Sequence, residues 1–360
     1  MILRFSVEGY RGFAERLTFD LTKTRDYTYN TKAINRHVVK NALVYGRNGV
    51  GKTNLGKAML DARHNVAHEA LGFRTGTAFL NADEARSTAR FSYLCDFDGR
   101  RVLYEYSKNA RGVIRAERLV VDDGVVYDVD ESGFWATNNL ASFTSGSLVV
   151  DGTDLYLGLS VLSYVCTNTP GHLLGPILSL YRFFLSMQMN SPASLEDDIA
   201  LVLMREKVKE LEKFLRDHGI DETLEGLPTP TGELALYMRK GARAIPFSEV
   251  CSSGTRALVQ LFSILKLGEP KPSLLFLDEF DAHYHHDLAE QVLCSMQDEP
   301  NMQVIATTHN TDLFSNRFLR PDCLFVLSPR GIFAAADTTT RELHEGHNLE
   351  RLYQAGEFDV

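Results

Sequence analysis

The chain has 360 residues, 44% of them apolar, 24% charged and 10% aromatic, a composition that rules out disorder as the main state and supports one large domain or two modest ones. With 38 lysines and arginines against 47 aspartates and glutamates, the net charge of −9 offers no bulk basic field to nucleic acid or anionic lipid, so any DNA binding has to be argued from a local site. The five cysteines are odd in number and contain no C-x-x-C pair, which speaks against a disulfide framework and a cysteine zinc site and fits a reducing cytoplasm.

The N-terminal run carries charge at Arg4 and Glu8 and lacks the apolar core of a signal peptide, so a cytoplasmic protein is expected. Residues 2–7 and 16–21 alternate apolar and polar around a turn at Gly9–Gly12, the pattern of a hairpin. Asn41–Tyr45 reads as a short buried strand, followed by a glycine-rich loop and a helix over about 52–68. Four β-rich runs, 89–97, 101–107, 114–121 and 125–129, are separated by Asp-Gly and Asn-Ala-Arg-Gly turns and predict an antiparallel β lobe.

The most apolar stretch, 155–189, is broken by Asn168, Pro170, His172, Pro176 and Arg182. It never offers the ~18 residues of a membrane span and reads as buried strand and helix; no membrane partner is expected. Residues 171–217 read helical. Leu201, Met204, Val208, Leu211 and Leu215 follow a 3-4 spacing, but only for about two heptads, which favours one amphipathic helix packed on its own domain over a coiled-coil arm. Pro228-Thr-Pro230 and Thr231-Gly-Glu233 read as a linker into a second α/β half: helix 253–267, strand 273–277, helix 285–297, strand 302–307 and strands near 323–327 and 331–335.

Gly46-Arg-Asn48-Gly49-Val-Gly51-Lys52-Thr53 satisfies G-x-x-x-x-G-K-[ST] between a strand and a helix. That context makes it a phosphate loop: glycines turn N–H groups inward, Lys52 reaches the β and γ phosphates of ATP, and the Thr53 hydroxyl ligates magnesium. Ser273–Leu277 leads into Asp278 and Glu279. Asp278 is suited to the Mg2+ shell and Glu279 to deprotonating an attacking water. Ser252-Ser253-Gly254-Thr255 opens a helix 25 residues before Asp278, counted from Ser253. Alone it is a helix cap, but beside a phosphate loop it is an anion site suited to a γ-phosphate from another subunit. His309 ends a strand 31 residues after Asp278, placed to touch the same phosphate.

Together these motifs resemble the ABC-type ATPase heads of the SMC, RecF and OLD proteins. Gly-x-Asn-Gly-x-Gly-Lys-Thr-Asn54 is similar to their Walker A, Cys251-Ser-Ser-Gly-Thr-Arg256 to the signature, Leu-Phe-Leu-Asp-Glu279 to Walker B and His309 to the switch histidine. A closer resemblance is to AAA-family, OLD-like ATPases of anti-phage and abortive-infection systems, of the kind found as ATPase subunits in the PARIS and Septu systems. It rests on Arg4–Phe13, Lys40–Gly46, Asp278–His283, Thr307–Thr311 and Asn348–Tyr353.

The resemblance implies an α/β, ABC-type P-loop head with an antiparallel β lobe, a helical insertion and no long coiled coil. It divides the chain into an N-terminal ATPase half (1–130), a mixed region with the helical insertion (131–245) and a C-terminal ATPase half (246–360). It also implies a head-to-tail homodimer or higher oligomer with composite ATP sites, and a separate effector, a nuclease or toxin, under control of a phage trigger. DNA or a phage protein is a further implied partner. Arg11 resembles a family position near the nucleotide, though it reads equally well as a surface arginine.

Departures narrow the match. The 51 residues after His309 are too few for the Toprim nuclease of the OLD enzymes, so a nuclease is expected on another chain. Ser253 replaces the first glycine usual in the signature. Gln188 is the one candidate for the glutamine loop, against a plain helix residue. His283-Tyr-His285-His286-Asp287 reads as a D-loop, in which Asp281 and His283 orient water and partner groups, ahead of a metal cluster. A RecF-like DNA-repair ATPase and a transporter ATPase subunit are the competing functions.

Overall fold

The computed structural model describes residues 1–67, 79–83, 86–144, 160–190, 195–229 and 231–358. The chain opens with strands β1 (Ile2–Glu8), β2 (Leu17–Asp20) and β3 (Asn41–Tyr45), then helices α1 (Lys52–Met59) and α2 (Asp61–Val66). Five strands follow: β4 (Thr88–Phe97), β5 (Arg100–Asn109), β6 (Ile114–Val121), β7 (Gly124–Val129) and β8 (Trp135–Asn138). Helices α3 (Val161–Asn168) and α4 (Pro176–Leu185) lead to β9 (Gln188–Asn190), α5 (Leu195–Met204) and α6 (Val208–Asp217). The rest comprises β10 (Thr223–Pro228), β11 (Leu234–Lys240), β12 (Arg243–Pro246), α7 (Ser253–Phe262), β13 (Leu274–Leu277), α8 (His286–Gln297), β14 (Gln303–Thr308), β15 (Leu324–Ser328), β16 (Gly331–Ala334) and α9 (Leu349–Gln354).

The β lobe is one seven-stranded sheet in the order β8-β7-β6-β5-β4-β1-β2, antiparallel throughout. Asp98 and Gly99, both at positive φ, turn β4 directly into β5, the two-residue geometry that matches strand twist. Alternation then puts Phe91, Tyr93 and Cys95 of β4 and Val102, Tyr104 and Tyr106 of β5 on the buried face. The Tyr93 hydroxyl donates to the Ala58 carbonyl of α1 at 2.9 Å, and the Phe184 ring of α4 meets Tyr93 and Tyr104 at 5.1 and 5.6 Å.

A second sheet runs β9-β13-β14-β3-β15-β16, parallel except for β16. Its central strands β3, β13 and β14 are buried along their whole length, as continuous apolar runs covered on both faces must be. Helix α1 lies between the two sheets. A Cβ on Gly56 would stand 2.4 Å from the Phe276 ring of β13, so only glycine allows that approach. Because β14 intervenes between β3 and β13, the phosphate loop and the acidic pair leave the sheet two strands apart at the same carboxyl edge, where open α/β sheets bind ligands. This is an α/β architecture, a mainly parallel sheet joined through α1 to an antiparallel lobe.

Several expected elements differ. The 52–68 helix is two, because the chain changes direction at Leu60 and so delivers Asp61 to Lys108 (2.6 Å) and the Tyr106 hydroxyl (2.8 Å) of β5; residue 68 lies outside the described residues. The 171–217 helical run is interrupted by β9 and by the turn at Glu206, which sits at φ 53°. The 3-4 seam therefore belongs to two helices: Leu211 and Leu215 are buried while Met204 is 81% exposed. The 228–233 linker is a hairpin turn, closed by Thr229 N–H to the Glu233 carbonyl at 2.7 Å with Gly232 at φ 88°; Pro230 lies outside the described residues. Proline and glycine punctuate linkers and hairpins alike, so only the pairing of β10 with β11 distinguishes the two. Within the apolar 155–189 stretch, 155–159 lie outside the described residues and the rest is α3, α4 and β9.

Candidate functional site

The phosphate-loop motif occupies the turn between β3 and α1. Gly49 and Gly51 take φ of 79° and 112°, conformations that L side chains rarely adopt. A Cβ on Gly51 would come within 3.2 Å of the Phe13 ring. The Gly46 N–H donates to the Thr308 carbonyl at 3.2 Å, tying the loop to the end of β14. Lys52 opens α1 and is 4% exposed; its Nζ donates to the carbonyls of Gly46 (2.8 Å) and Arg47 (3.3 Å). Asn48 sits in the exposed part of the loop, while Asn54 faces the Gly12 turn, its Nδ2 3.6 Å from where a Gly12 Cβ would be.

Asp278 follows β13 and is held from two sides: the Thr53 hydroxyl donates to Oδ2 at 2.6 Å and the Thr307 hydroxyl to Oδ1 at 2.9 Å. Glu279 adopts left-handed φ 45°, ψ 47°. Its N–H donates to the Thr307 hydroxyl at 2.9 Å, and its Oε1 stands 3.7 Å from Lys52 Nζ. A non-glycine residue held in this region is strained; here the strain turns the carboxylate back toward the loop. His309 follows β14 at the same edge and is exposed. Thr53 thus meets Asp278 and Lys52 meets Glu279, although 225 positions separate Thr53 from Asp278.

The residues present fit a magnesium-bound nucleoside triphosphate. A hydroxyl and a carboxylate oxygen 2.6 Å apart form the hard donor pair magnesium prefers, beside a loop whose Gly49 and Gly51 hold positive φ. Arg11 lies in the turn packed on that loop, at φ 47°, with its guanidinium 5.4 Å from the Tyr10 ring and its Nε buried without a hydrogen-bond partner.

Residues 252–255 form the start of α7. Ser252 caps α7, its Oγ accepting from Thr255 N–H at 3.1 Å and lying 2.8 Å from the Thr255 hydroxyl. Ser252 and Ser253 are exposed, Gly254 half-buried and Thr255 buried. Helix α7 packs on α5, α6 and the 280–283 turn, and the hydrogen bonds of the cap close within its own turn. Asp281 is half-buried in that turn with Oδ1 unpartnered. Burial raises its carboxyl above the usual range, against the lowering effect of the Thr308 side chain and His309. His286 Nε2 lies 3.3 Å from Glu290, and the side chain of His283 lies outside the described residues.

Two residues were not legible as site components. Thr307 bridges Asp278 and Glu279, yet a threonine in a strand carries no signal of its own. Gln188 begins β9, its Nε2 3.7 Å from where a Gly268 Cβ would be. Asn190 pairs with Leu277, one residue before Asp278, and keeps its Oδ1 buried and unpartnered. The strand thus brings an asparagine, rather than Gln188, to the edge of the site.

A family model described as an AAA domain, putative AbiEii toxin, type IV toxin–antitoxin system, matches residues 178–315, a segment that includes residues 252–255, Asp278, Glu279 and His309. No curated protein matches the chain. Among solved structures, the chain is similar to the SMC head domain from Thermotoga maritima at 16% identity, over 92% of this chain and 98% of that one, with a TM-score of 0.47. It is also similar to an SMC head bound to the C-terminal winged-helix domain of ScpA (14% identity, 92% and 97% coverage, TM-score 0.46). A third is an SMC head with an extended coiled coil, bound to the C-terminal domain of ScpA derived from Pyrococcus furiosus (13% identity, 92% and 96% coverage, TM-score 0.45). Among the described residues no helix is long and apolar enough to cross a membrane.

Proposed function

We propose that this chain is a magnesium-dependent ATPase, converting ATP and water to ADP and phosphate, that works as a switch controlling a separate effector. The observation that carries the ATPase reading is the 2.6 Å Thr53–Asp278 contact. It joins the phosphate loop to the acidic pair and leaves Lys52 and Glu279 facing each other across the space between them.

Lys52 holds the β and γ phosphate oxygens, with the α1 N-terminus supplying further N–H donors. The Thr53 hydroxyl and Asp278 would hold magnesium, which when bound would neutralise the triphosphate charge. Glu279 orients the attacking water and takes its proton as the new P–O bond forms and ADP leaves. Thr307 keeps Glu279 in place through the backbone, and His309 donates to the γ-phosphate. The exposed Ser252 and Ser253, with Gly254 and Thr255, serve the site of a second copy in a head-to-tail dimer.

The output we assign, control of a nuclease or toxin in anti-phage defence by a cytoplasmic protein of the PARIS or Septu kind, is supported by the motif resemblance and by the partial AAA-domain match. Glu279→Gln tests the chemistry. ATP binding should persist while turnover falls by about 10²–10⁴, the usual effect of losing a general base. Equal turnover in both proteins would remove Glu279 from the mechanism.

A further inference from the structure

Two tyrosines and a lysine of the β lobe reach the far end of the helix that carries Lys52 and Thr53. The Tyr93 hydroxyl of β4 donates to the Ala58 carbonyl, in the last turn of α1, at 2.9 Å. The Tyr106 hydroxyl and Lys108 Nζ of β5 both donate to Asp61 Oδ2, at 2.8 and 2.6 Å. Lys108 is fully buried and Asp61 is 6% exposed. The Lys108 ammonium also lies 5.8 Å from the Phe79 ring and 5.7 Å from the Tyr106 ring. On its other flank α1 meets β13 through Gly56 and the Phe276 ring, and Asp278 follows two residues after Phe276.

A buried ion pair is a poor device for stability alone. Desolvating two charges cancels much of their attraction, and an apolar pair of the same volume is often as stable or more so. What the Lys108–Asp61 pair does supply is direction, because charge-assisted bonds are short and geometrically specific. It fastens the first residue of α2, directly beyond the bend at Leu60. Helix α1 has eight residues, so its ends stand about 12 Å apart. A tilt of about 10° at the Asp61 end would move the Lys52 end by roughly 2 Å, enough to break the 2.6 Å bond between Thr53 and Asp278.

We propose that Asp61 is a positioning residue: gripped by Lys108 and Tyr106 of the β lobe, it sets the tilt of α1 against β13 and with it the meeting of Thr53 with Asp278. The nucleotide part of this statement rests on the ATPase reading above. Lys52 and the loop N–H groups travel with α1 as a unit, so they hold ATP much as before when the tilt changes. The hydroxyl–carboxylate pair is divided between α1 and the end of β13, so it is the part that suffers. Asp61 thus governs how far magnesium tightens ATP binding.

The test uses the full chain as wild type, Tyr106→Phe, Lys108→Met and the double variant Asp61→Asn/Lys108→Met. The double variant keeps the side-chain volumes close and leaves no buried charge unpaired, so it should melt near the wild type, whereas Lys108→Met alone strands the Asp61 charge and should melt well below it. In nucleotide-free protein, amide exchange in peptides covering residues 52–59 should rise several-fold in the double variant, with β14 unchanged. With ATP as probe, Kd in EDTA should stay within about twofold, while the tightening brought by magnesium should shrink about threefold to tenfold, the worth of one hydroxyl bond. Tyr106→Phe, which loses one of the two lobe bonds to Asp61, should move both readouts the same way and by less. Exchange over 52–59 as slow as wild type in a double variant that melts like the wild type overturns the proposal and leaves the pair a packing feature. Should the double variant melt low, unchanged exchange in Tyr106→Phe overturns it in the same way. Failure of the wild type to bind ATP, or to bind it more tightly with magnesium, defeats the ATPase reading instead, because the exchange measurement needs no nucleotide.

Discussion

Thr307 shows how little of a site is announced by its own residue type. Its hydroxyl donates to Asp278 Oδ1 and accepts from the Glu279 N–H, so one atom sets the position of both carboxylates. Thr307→Val keeps the shape and the β-branch but strips both bonds, leaving a backbone N–H and a carboxylate oxygen without that partner. A lost partner of this kind costs ~1–3 kcal/mol. Turnover should therefore fall about tenfold to a hundredfold while ATP binding changes less, since Lys52 and the loop remain intact. Single-turnover hydrolysis beside equilibrium ATP binding would separate the two; a purely proportional loss of binding would show that Thr307 serves the loop instead. The motif residues were legible because phosphate binding demands glycine, lysine and hydroxyl at fixed spacing. Thr307 and Asn190 were not, because their roles come from which strand lies next to β13.

At the scale of elements, α3 is fastened to the β lobe by one buried carboxylate. Glu117 of β6 accepts from the Val161 and Leu162 N–H groups at 2.8 and 3.0 Å, from Ser160 at 3.0 Å, and from the Tyr104 and Tyr127 hydroxyls at 3.0 and 2.9 Å. Burial raises its carboxyl above the usual range, with those donors working in the other direction. A raised folded value means that Glu117 contributes stability below about 4.5, its ordinary value, and loses that contribution as pH rises through the folded pKa. Glu117→Gln should remove this pH-dependent component and, by breaking part of the donor set, destabilise the protein by ~1–3 kcal/mol at neutral pH. Urea midpoints of both proteins across the acid-to-neutral range would check it; parallel pH curves would contradict the assignment. The lobe strands themselves were readable from alternation and Asp-Gly turns. Strand β9 was not, since three residues between helical runs are too short to show a period, and the β10–β11 turn carries the same residues as a linker.

For the whole molecule, Ser252 and Ser253 are exposed, and the proposed head-to-tail dimer would have them complete the active site of a second copy. Lys52→Ala and Ser253→Arg damage different halves of such a site. Each alone should be inactive, and co-expression should restore part of the activity through heterodimers that retain one intact composite site. No recovery despite demonstrated heterodimers would argue for a site complete within one chain. If ATP closure drives an effector, the effector has to bind the open and closed forms unequally, so Glu279→Gln and Lys52→Ala should shift its capture in opposite directions. Pull-downs from the native host with and without ATP would measure this. Equal capture of one effector by both variants would uncouple it from the nucleotide, and co-purifying DNA in place of an effector would move the reading toward repair.

The neighbours of β3 carry a consequence for biosynthesis. Among the described residues, the strand that bears the phosphate loop pairs only with β14 and β15, and Gln303 bonds the Val39 carbonyl across 264 positions. On a ribosome adding ~5–20 residues per second, β3 must wait roughly 13–50 seconds for its first partner strand. During that interval the β lobe has all the strands it needs to close around β1, while β3, buried along its whole length in the finished sheet, remains unpaired on the nascent chain. A premature stop between β8 and β14 therefore yields a chain whose lobe strands are all present but whose β3 is an open apolar strand, a product for chaperones and proteases.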